Sequence, residues 1–218
     1  MVEARTTLGR PRVGVLSIQG AFAEHAAVLE RVGAVPVDVR SPADLEGIDA
    51  IVLPGGESTT LGLVAEESGL LDALRDRLSD GLPALGTCAG MIVLARGVTE
   101  GAQPLLGGMD IVVRRNAFGR QARSFETSLE VSGLPESAPG PVDAVFIRAP
   151  WIEEWGPGVE ILAEHAGHGV AARQGDLLVT AFHPELSGEH RFHEWLVARA
   201  RVRRERGDER RERHVGAQ

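Results

Sequence analysis

The sequence is poor in the features that mark several large protein classes. A single cysteine, Cys88, stands among 218 residues, so no internal disulfide can form and a reducing cytoplasm is the expected setting. The apolar run Val13–Ile18, after the polar, arginine-bearing stretch Met1–Arg12, is far too short for a signal peptide or a membrane span. With a formal net charge of −8 and a pI near 5.4 there is no overall basic field, which argues against nucleic-acid and anionic-membrane partners. Neither a Gly-x-Gly-x-x-Gly nor a Walker A sequence is present, so a dinucleotide site is unsupported and no cofactor is expected. Internal repeats and low-complexity linkers are also missing. The expectation is one domain over residues 12–200, with an N-terminal extension (1–11) and a charged, disordered tail (201–218).

What is present suits an ordinary globular protein: 43% hydrophobic and 25% charged residues, enough to build a real core. Arg12–Gly20 reads as a nearly continuous apolar strand, of the kind buried on both faces of a parallel sheet. Phe22, Ala26, Leu29 and Val32 then recur at helical spacing, and Gly33 closes that helix. Val35–Val39 and Ala50–Leu53 are further strands, with a connector over Pro42–Gly47 and a helix near Leu61–Leu78. This alternation predicts an α/β doubly wound layer structure. Beyond Ser128 the pattern changes to short alternating strands (128–131, 144–148, 159–164, 170–173 and 177–182), with Gln174-Gly175-Asp176 as a hairpin turn. A helix over Glu189–Ala200 follows, fraying where charges take over from Arg199.

The chemistry centres on Cys88. Apolar residues on both sides frame Gly86-Thr87-Cys88-Ala89-Gly90, the pattern of a nucleophile elbow in which a strand turns sharply into a helix. The helix N-terminus beside the sulfur favours a thiolate. Two further stretches lie at strand ends, where open α/β sheets place ligands. Pro54-Gly55-Gly56-Glu57-Ser58-Thr59-Thr60 exposes backbone N–H groups and reads as an oxyanion hole, a phosphate nest, or a glycine turn with Ser58 or Thr59 as helix cap. Glu57 weighs against the phosphate. His183-Pro184-Glu185 supplies a base and a carboxylate to orient it, although alone it is also an ordinary turn. Arg114, Arg115, Arg120 and Arg123 stand out against an acidic chain, as ligands for a carboxylate or partner surface or as a solvated loop. His190 and His193 lie near Glu189 and Glu194, but without a third ligand no metal site is expected, and His165 and His168 read as solvent-facing.

These segments together resemble the glutaminase subunits of pyridoxal 5′-phosphate synthase, a subfamily of the class I, triad-type glutamine amidotransferases. The resemblance runs from about Val13 to Leu196. It rests on residues 14–25 (GVLSIQGAFAEH), 53–60 (LPGGESTT), 86–91 (GTCAGM), 115–121 (RNAFGRQ), 146–150 (FIRAP) and 182–186 (FHPEL). It implies a three-layer α/β/α, flavodoxin-like fold with a mixed, largely parallel sheet. It also implies Cys88 as nucleophile, His183 as general base and acid, Glu185 as third triad member, and an oxyanion hole from the N–H groups of Gly56 and Ala89. Gly56, Glu57, Ser58, Arg115, Ile147 and Arg148 match the family's glutamine contacts, and Gln19 matches a position that responds to partner docking. The implied reaction is hydrolysis of the glutamine amide through a thioester. The ammonia passes to a separate (β/α)8-barrel synthase subunit of the PdxS type. Imidazole glycerol phosphate synthase glutaminase, a non-catalytic scaffold and a peptidase are the rival readings; the subfamily segments 55–60, 115–121 and 147–150 weigh against the first, the intact triad against the second, and the lack of any sequence feature for a peptide groove against the third.

Overall fold

The computed structural model describes residues 9–119, 124–135 and 140–215, with side chains as far as residue 207. Arg120 and Arg123 therefore lie outside the described residues. The first part of the chain forms β1 (Arg12–Leu16), α1 (Phe22–Arg31), β2 (Val35–Val39), a 3-10 turn (Pro42–Leu45), β3 (Ala50–Leu53), α2 (Ser58–Glu67), α3 (Leu70–Ser79), β4 (Ala84–Thr87) and α4 (Ala89–Leu94). The second part is mostly strand: β5 (Ala95–Val98), β6 (Met109–Arg114), β7 (Ser124–Leu129), β8 (Val142–Ile147), β9 (Trp151–Trp155), β10 (Glu160–His165), β11 (His168–Gln174) and β12 (Leu177–Thr180), closed by α5 (Arg191–Val215).

Strands β2-β1-β3-β4-β12 run parallel and form the heart of a ten-stranded mixed sheet. Val13, Val15, Leu16 and all of Ala50–Leu53 are buried, which is why these strands read as unbroken apolar runs. Helices α1 and α5 pack together against this sheet, while α2, α3 and α4 form a second packed group. The result is the three-layer α/β/α arrangement. β12 turns back into β11 through Gly175, whose φ of 58° is the left-handed value such a hairpin turn needs. Beyond it the sheet continues antiparallel through β9 and β6. β7 and β8 pair separately, their cross-strand partners Phe125 and Phe146 stacked 4.6 Å apart.

The structure departs from the sequence pattern in several places. The single helix expected over 61–78 is broken in two at Gly69, which takes a left-handed φ of 73°. β5, β6 and β9 were not legible: glycines and arginines flank β6, although Met109, Ile111 and Val113 alternate inward. His165 and His168 are half-buried rather than solvent-facing. The ring of His165 lies against Phe125 and Phe146, and that of His168 stacks 3.6 Å from Trp151. Helix α5 continues past Ala200 to Val215. Its charged turns are docked by backbone carbonyls, Arg203 donating to Asp80 (2.8 Å) and Arg204 to Gly9 (2.9 Å).

One of the close approaches in the fold is between α4 and the sheet. A Cβ on Gly90 would overlap the carbonyl oxygen of Leu53, and one on Gly86 would meet the Gly90 carbonyl at 2.8 Å. Because the obstacle is backbone, Gly90→Ala should cost about 3 kcal/mol, the upper end of ordinary overpacking. That corresponds to a fall in melting temperature of roughly 6–12 °C. Gly97→Ala, whose Cβ would meet nothing closer than 3.9 Å, should melt within a degree or two of the parent. Equal melting of both variants would contradict the packing described.

Candidate active site

Cys88 occupies the joint between β4 and α4 with φ 48° and ψ −100°, outside the regions that L-residues favour. Its surroundings hold that conformation. The Cys88 N–H continues the β4–β12 ladder by donating to Thr180 O (2.8 Å), and its carbonyl accepts from Ile92 N–H (3.3 Å). Ala89 follows as the first residue of α4, so its N–H has no acceptor within that helix. The thiol is 7% exposed and lies 4.0 Å from the carbonyl oxygen of Ile147.

His183 follows β12, which is the parallel neighbour of β4, so adjacent strand ends bring it to Cys88 across a long sequence separation. Its backbone N–H donates to Val145 O (2.9 Å), and Gly55 packs so closely that a Cβ there would overlap the imidazole. His183 Nδ1 donates to Glu185 Oε1 at 2.7 Å. Burial opposes a charge on His183, but hydrogen bonds to Cys88 and Glu185, with the charges of both, push its pKa up to about 10. Burial likewise works against ionising Glu185, yet the hydrogen bond from His183 and the nearby imidazole of His25 hold the carboxyl far below the usual carboxylate range. A histidine that keeps its proton at neutral pH is the partner a thiolate requires.

Cys88 opens into a cavity of about 110 Å³ lined also by Gly56, Glu57, Ser58, Ile92, Arg115, Asn116, Ile147 and Arg148. All six residues matched to glutamine contacts thus share one small space with the cysteine. Its volume is that of roughly four waters of liquid, the scale of a single side chain and well below a drug-sized site. A larger open groove of about 840 Å³ adjoins it and shares Arg115, Asn116 and Arg148. Asn116 and Arg148 both have φ of 45°, a further concentration of backbone strain at this wall. The two loops are tied by Ala117 N–H donating to Ala149 O (2.9 Å).

The glycine loop is shaped by two side chains. Gln19 grips the Glu57 peptide from both sides, Nε2 donating to Glu57 O (2.8 Å) and Oε1 accepting from Glu57 N–H (3.2 Å). Gly56 has φ 157°, and any Cβ there would run into the Gln19 amide at 2.7 Å. Gln103 does comparable work on the far side. Its Oε1 accepts from Ser58 Oγ (3.1 Å) and from Arg115 (3.0 Å), fixing the guanidinium over the cavity. Gln103 was missed by sequence reasoning because it lies in a glycine- and proline-rich stretch with no motif of its own. The helix cap is Glu57, not Ser58 or Thr59: its carboxylate accepts from Thr59 N–H (3.1 Å), Thr60 N–H (2.7 Å) and Thr60 Oγ1 (2.7 Å). That carboxylate occupies the N–H groups an external phosphate would need. His193 is fully buried, whereas His190 approaches Glu194 at 3.7 Å. Among the described residues no group of three or more His, Cys, Asp or Glu side chains is arranged to hold a metal ion.

The cap carries a pH signature. The Thr60 hydroxyl bond, against a smaller burial penalty, lowers the Glu57 pKa from 4.5 to about 2. A depressed carboxyl contributes stability that is present above its unfolded value and lost as pH falls through the folded one. Glu57→Ala should therefore cost about 1 kcal/mol at neutral pH, as for a lost N-cap. The difference from the parent should shrink below about pH 4.5 and close towards pH 2 in urea titrations. A gap independent of pH would show that the carboxylate is not the cap.

The chain matches the sequence profile of the SNO glutamine amidotransferase family over residues 15–202. It is 56% identical over 189 residues to the pyridoxal 5′-phosphate synthase subunit PdxT of Frankia alni, covering 86% of this chain and 94% of that one. To the subunit of the same name from Mycolicibacterium vanbaalenii it is 52% identical over 196 residues, covering 88% and 98%. Among solved structures, a crystal structure of a glutamine amidotransferase superposes with a TM-score of 0.81 at 46% identity, covering 86% of this chain and 98% of that one. A glutamine amidotransferase from Thermotoga maritima superposes with a TM-score of 0.55 at 15% identity, covering 82% and 77%, a likeness of fold alone.

Proposed function

Since the chain belongs to the SNO glutamine amidotransferase family, we propose that it is the glutaminase subunit of a pyridoxal 5′-phosphate synthase, with Cys88, His183 and Glu185 as its catalytic triad. The observation that carries this reading is that the strained Cys88 shares its 110 Å³ cavity with all six matched binding residues, beside a His183–Glu185 pair 2.7 Å apart. Close relatives bearing the synthase-subunit name supply the assignment to that assembly.

The chemistry follows from the arrangement. The glutamine carboxamide enters the small cavity, with Arg115 and Arg148 near its charged end. The Cys88 sulfur, its proton resting on His183, attacks the amide carbon, and the developing oxyanion is met by the N–H groups of Gly56 and Ala89. His183 gives its proton to the leaving nitrogen and ammonia departs, leaving a glutamyl thioester. Water then loses a proton to His183 and attacks the thioester, releasing glutamate and restoring the sulfur. Glu185 holds the imidazole in the tautomer and orientation both steps require. Ammonia passes to a (β/α)8-barrel synthase partner of the PdxS type, which Gln19 senses through the Glu57 peptide.

Glutamate release from glutamine should be small for the isolated chain and rise when the barrel subunit is added. Cys88→Ala should remove it, by at least about 10⁴-fold as for loss of a triad nucleophile, while still co-eluting with the barrel in gel filtration. Undiminished glutamate production by Cys88→Ala would overturn the mechanism, and stimulation by a histidine-pathway barrel alone would overturn the choice of partner.

A further inference from the structure

Behind the triad carboxylate lies a second buried pair that no motif announces. His25, from α1, and His193, from α5, are both 0% exposed, with ring centroids 5.1 Å apart. His25 Nδ1 is 2.8 Å from His193 Nε2, and His25 Nε2 is 3.1 Å from Thr87 Oγ1 and 3.4 Å from Glu185 Oε2. Glu185 gives Oε1 to His183. Oε2 is sealed from solvent and, among the described residues, completes no hydrogen bond; His25 Nε2 faces it at 3.4 Å. A carboxylate oxygen in that position needs a donor, and among the described residues the ring that faces it is His25.

The proton positions follow from what each nitrogen faces. Burial, first of all, pushes the pKa of His193 well below its ordinary value, and the charge of Glu185 only partly opposes it, so His193 is neutral and carries one N–H. Among the described residues His193 Nδ1 has no hydrogen-bond partner. A proton there would leave a donor orphaned in the core, whereas an empty lone pair is a lesser loss. The proton therefore sits on Nε2 and is donated to His25 Nδ1. Nδ1 of His25 therefore accepts, and its N–H lies on Nε2, pointing at Thr87 and Glu185. The opposite assignment would orphan the His193 N–H and turn a lone pair towards a carboxylate. The polar groups facing His25 are thus Thr87 from β4, Glu185 from the turn after β12, and His193 from α5.

Resting on the glutaminase reading above, we propose that His25 is a positioning residue for the reaction: it holds the free oxygen of Glu185, its own tautomer is set by His193, and the triad is the outer part of a buried line Cys88–His183–Glu185–His25–His193. His25 touches neither substrate nor the reacting atoms. It acts by keeping the carboxylate ionised and aimed at His183 Nδ1.

The test uses the full chain with its barrel partner and three variants: His25→Leu, which removes the donor, His25→Gln, whose amide N–H can reach towards Oε2, and His193→Leu. His25→Leu should lower kcat for glutamate release by about tenfold or more, a part of the 10²–10⁴ that general acid–base catalysis contributes, with KM little changed. The acidic limb of its kcat/KM profile should move to higher pH, because a carboxylate that loses a donor keeps its proton longer. His25→Gln should recover much of both. Independently of activity, ring ¹⁵N spectra of the parent should show Nε2–H tautomers at His25 and His193, and His193→Leu should free the His25 tautomer. A folded His25→Leu with unchanged kcat and acidic limb, or an Nδ1–H tautomer at His25, would overturn the proposal. If the tautomers are as stated but the parent releases no Cys88-dependent glutamate, the positioning of Glu185 stands and the glutaminase reading fails.

Discussion

The backbone at Cys88 is the constraint on which the rest of the site depends. A non-glycine residue at φ 48° and ψ −100° is costly and persists only when its neighbours over-determine it. Here they do so from three sides: Thr180 O holds the N–H, Gly86 and Gly90 let α4 lie against β4 and β3 without intervening side chains, and β12 brings His183 alongside. The same parallel pairing of β4 and β12 that builds the core also sets the nucleophile beside its base. Stability and reactivity are therefore not separable at this joint, and a methyl group on Gly90 is expected to disturb both.

Around that joint, charge is placed by burial and hydrogen bonding rather than by net charge, which is −8 for the whole chain. A carboxylate with almost no solvent contact stays ionised because imidazoles meet both its oxygens, and one of these imidazoles keeps its proton to about pH 10. At the cavity wall a second carboxylate, Glu57, is kept ionised by the Thr60 hydroxyl and the helix N–H groups and lies 3.8 Å from Arg115. The segment from Gln19 to His25 touches both regions: Gln19 clasps the Glu57 peptide, Ala21 N–H donates to Gly55 O at 3.3 Å, and His25 meets Glu185. One short stretch after β1 thus supports the glycine loop and the triad together.

Much of this was legible in the sequence, for identifiable reasons. Buried parallel strands read as apolar runs because both their faces are covered, and the elbow reads as Gly-x-Cys-x-Gly because close backbone approach admits little else. The parts that were not legible depend on contacts far apart in the chain. Nothing local marks Gln103 as the brace for Arg115, or His193 as the partner of a histidine 168 residues earlier. On a helix with His190 and two glutamates nothing local marks His193 as core; the packing of α5 on α1 and the sheet buries it. The extent of α5 was not legible because its arginines suggest a solvated tail, whereas Arg203 and Arg204 donate to the backbone carbonyls of Asp80 and Gly9.

The central claim is that the Cys88 sulfur attacks the side-chain carbonyl of a glutamine held in the cavity that Cys88 shares with Arg115 and Arg148. A diazoketone analogue of glutamine, which alkylates an attacking sulfur in place of yielding ammonia, tests this directly when added to the chain together with its barrel partner and followed by peptide mass spectrometry. The account predicts one adduct per chain, on the peptide bearing Cys88, suppressed by excess glutamine and lost in His183→Asn. An unmodified Cys88, or labelling on another side chain, would contradict it.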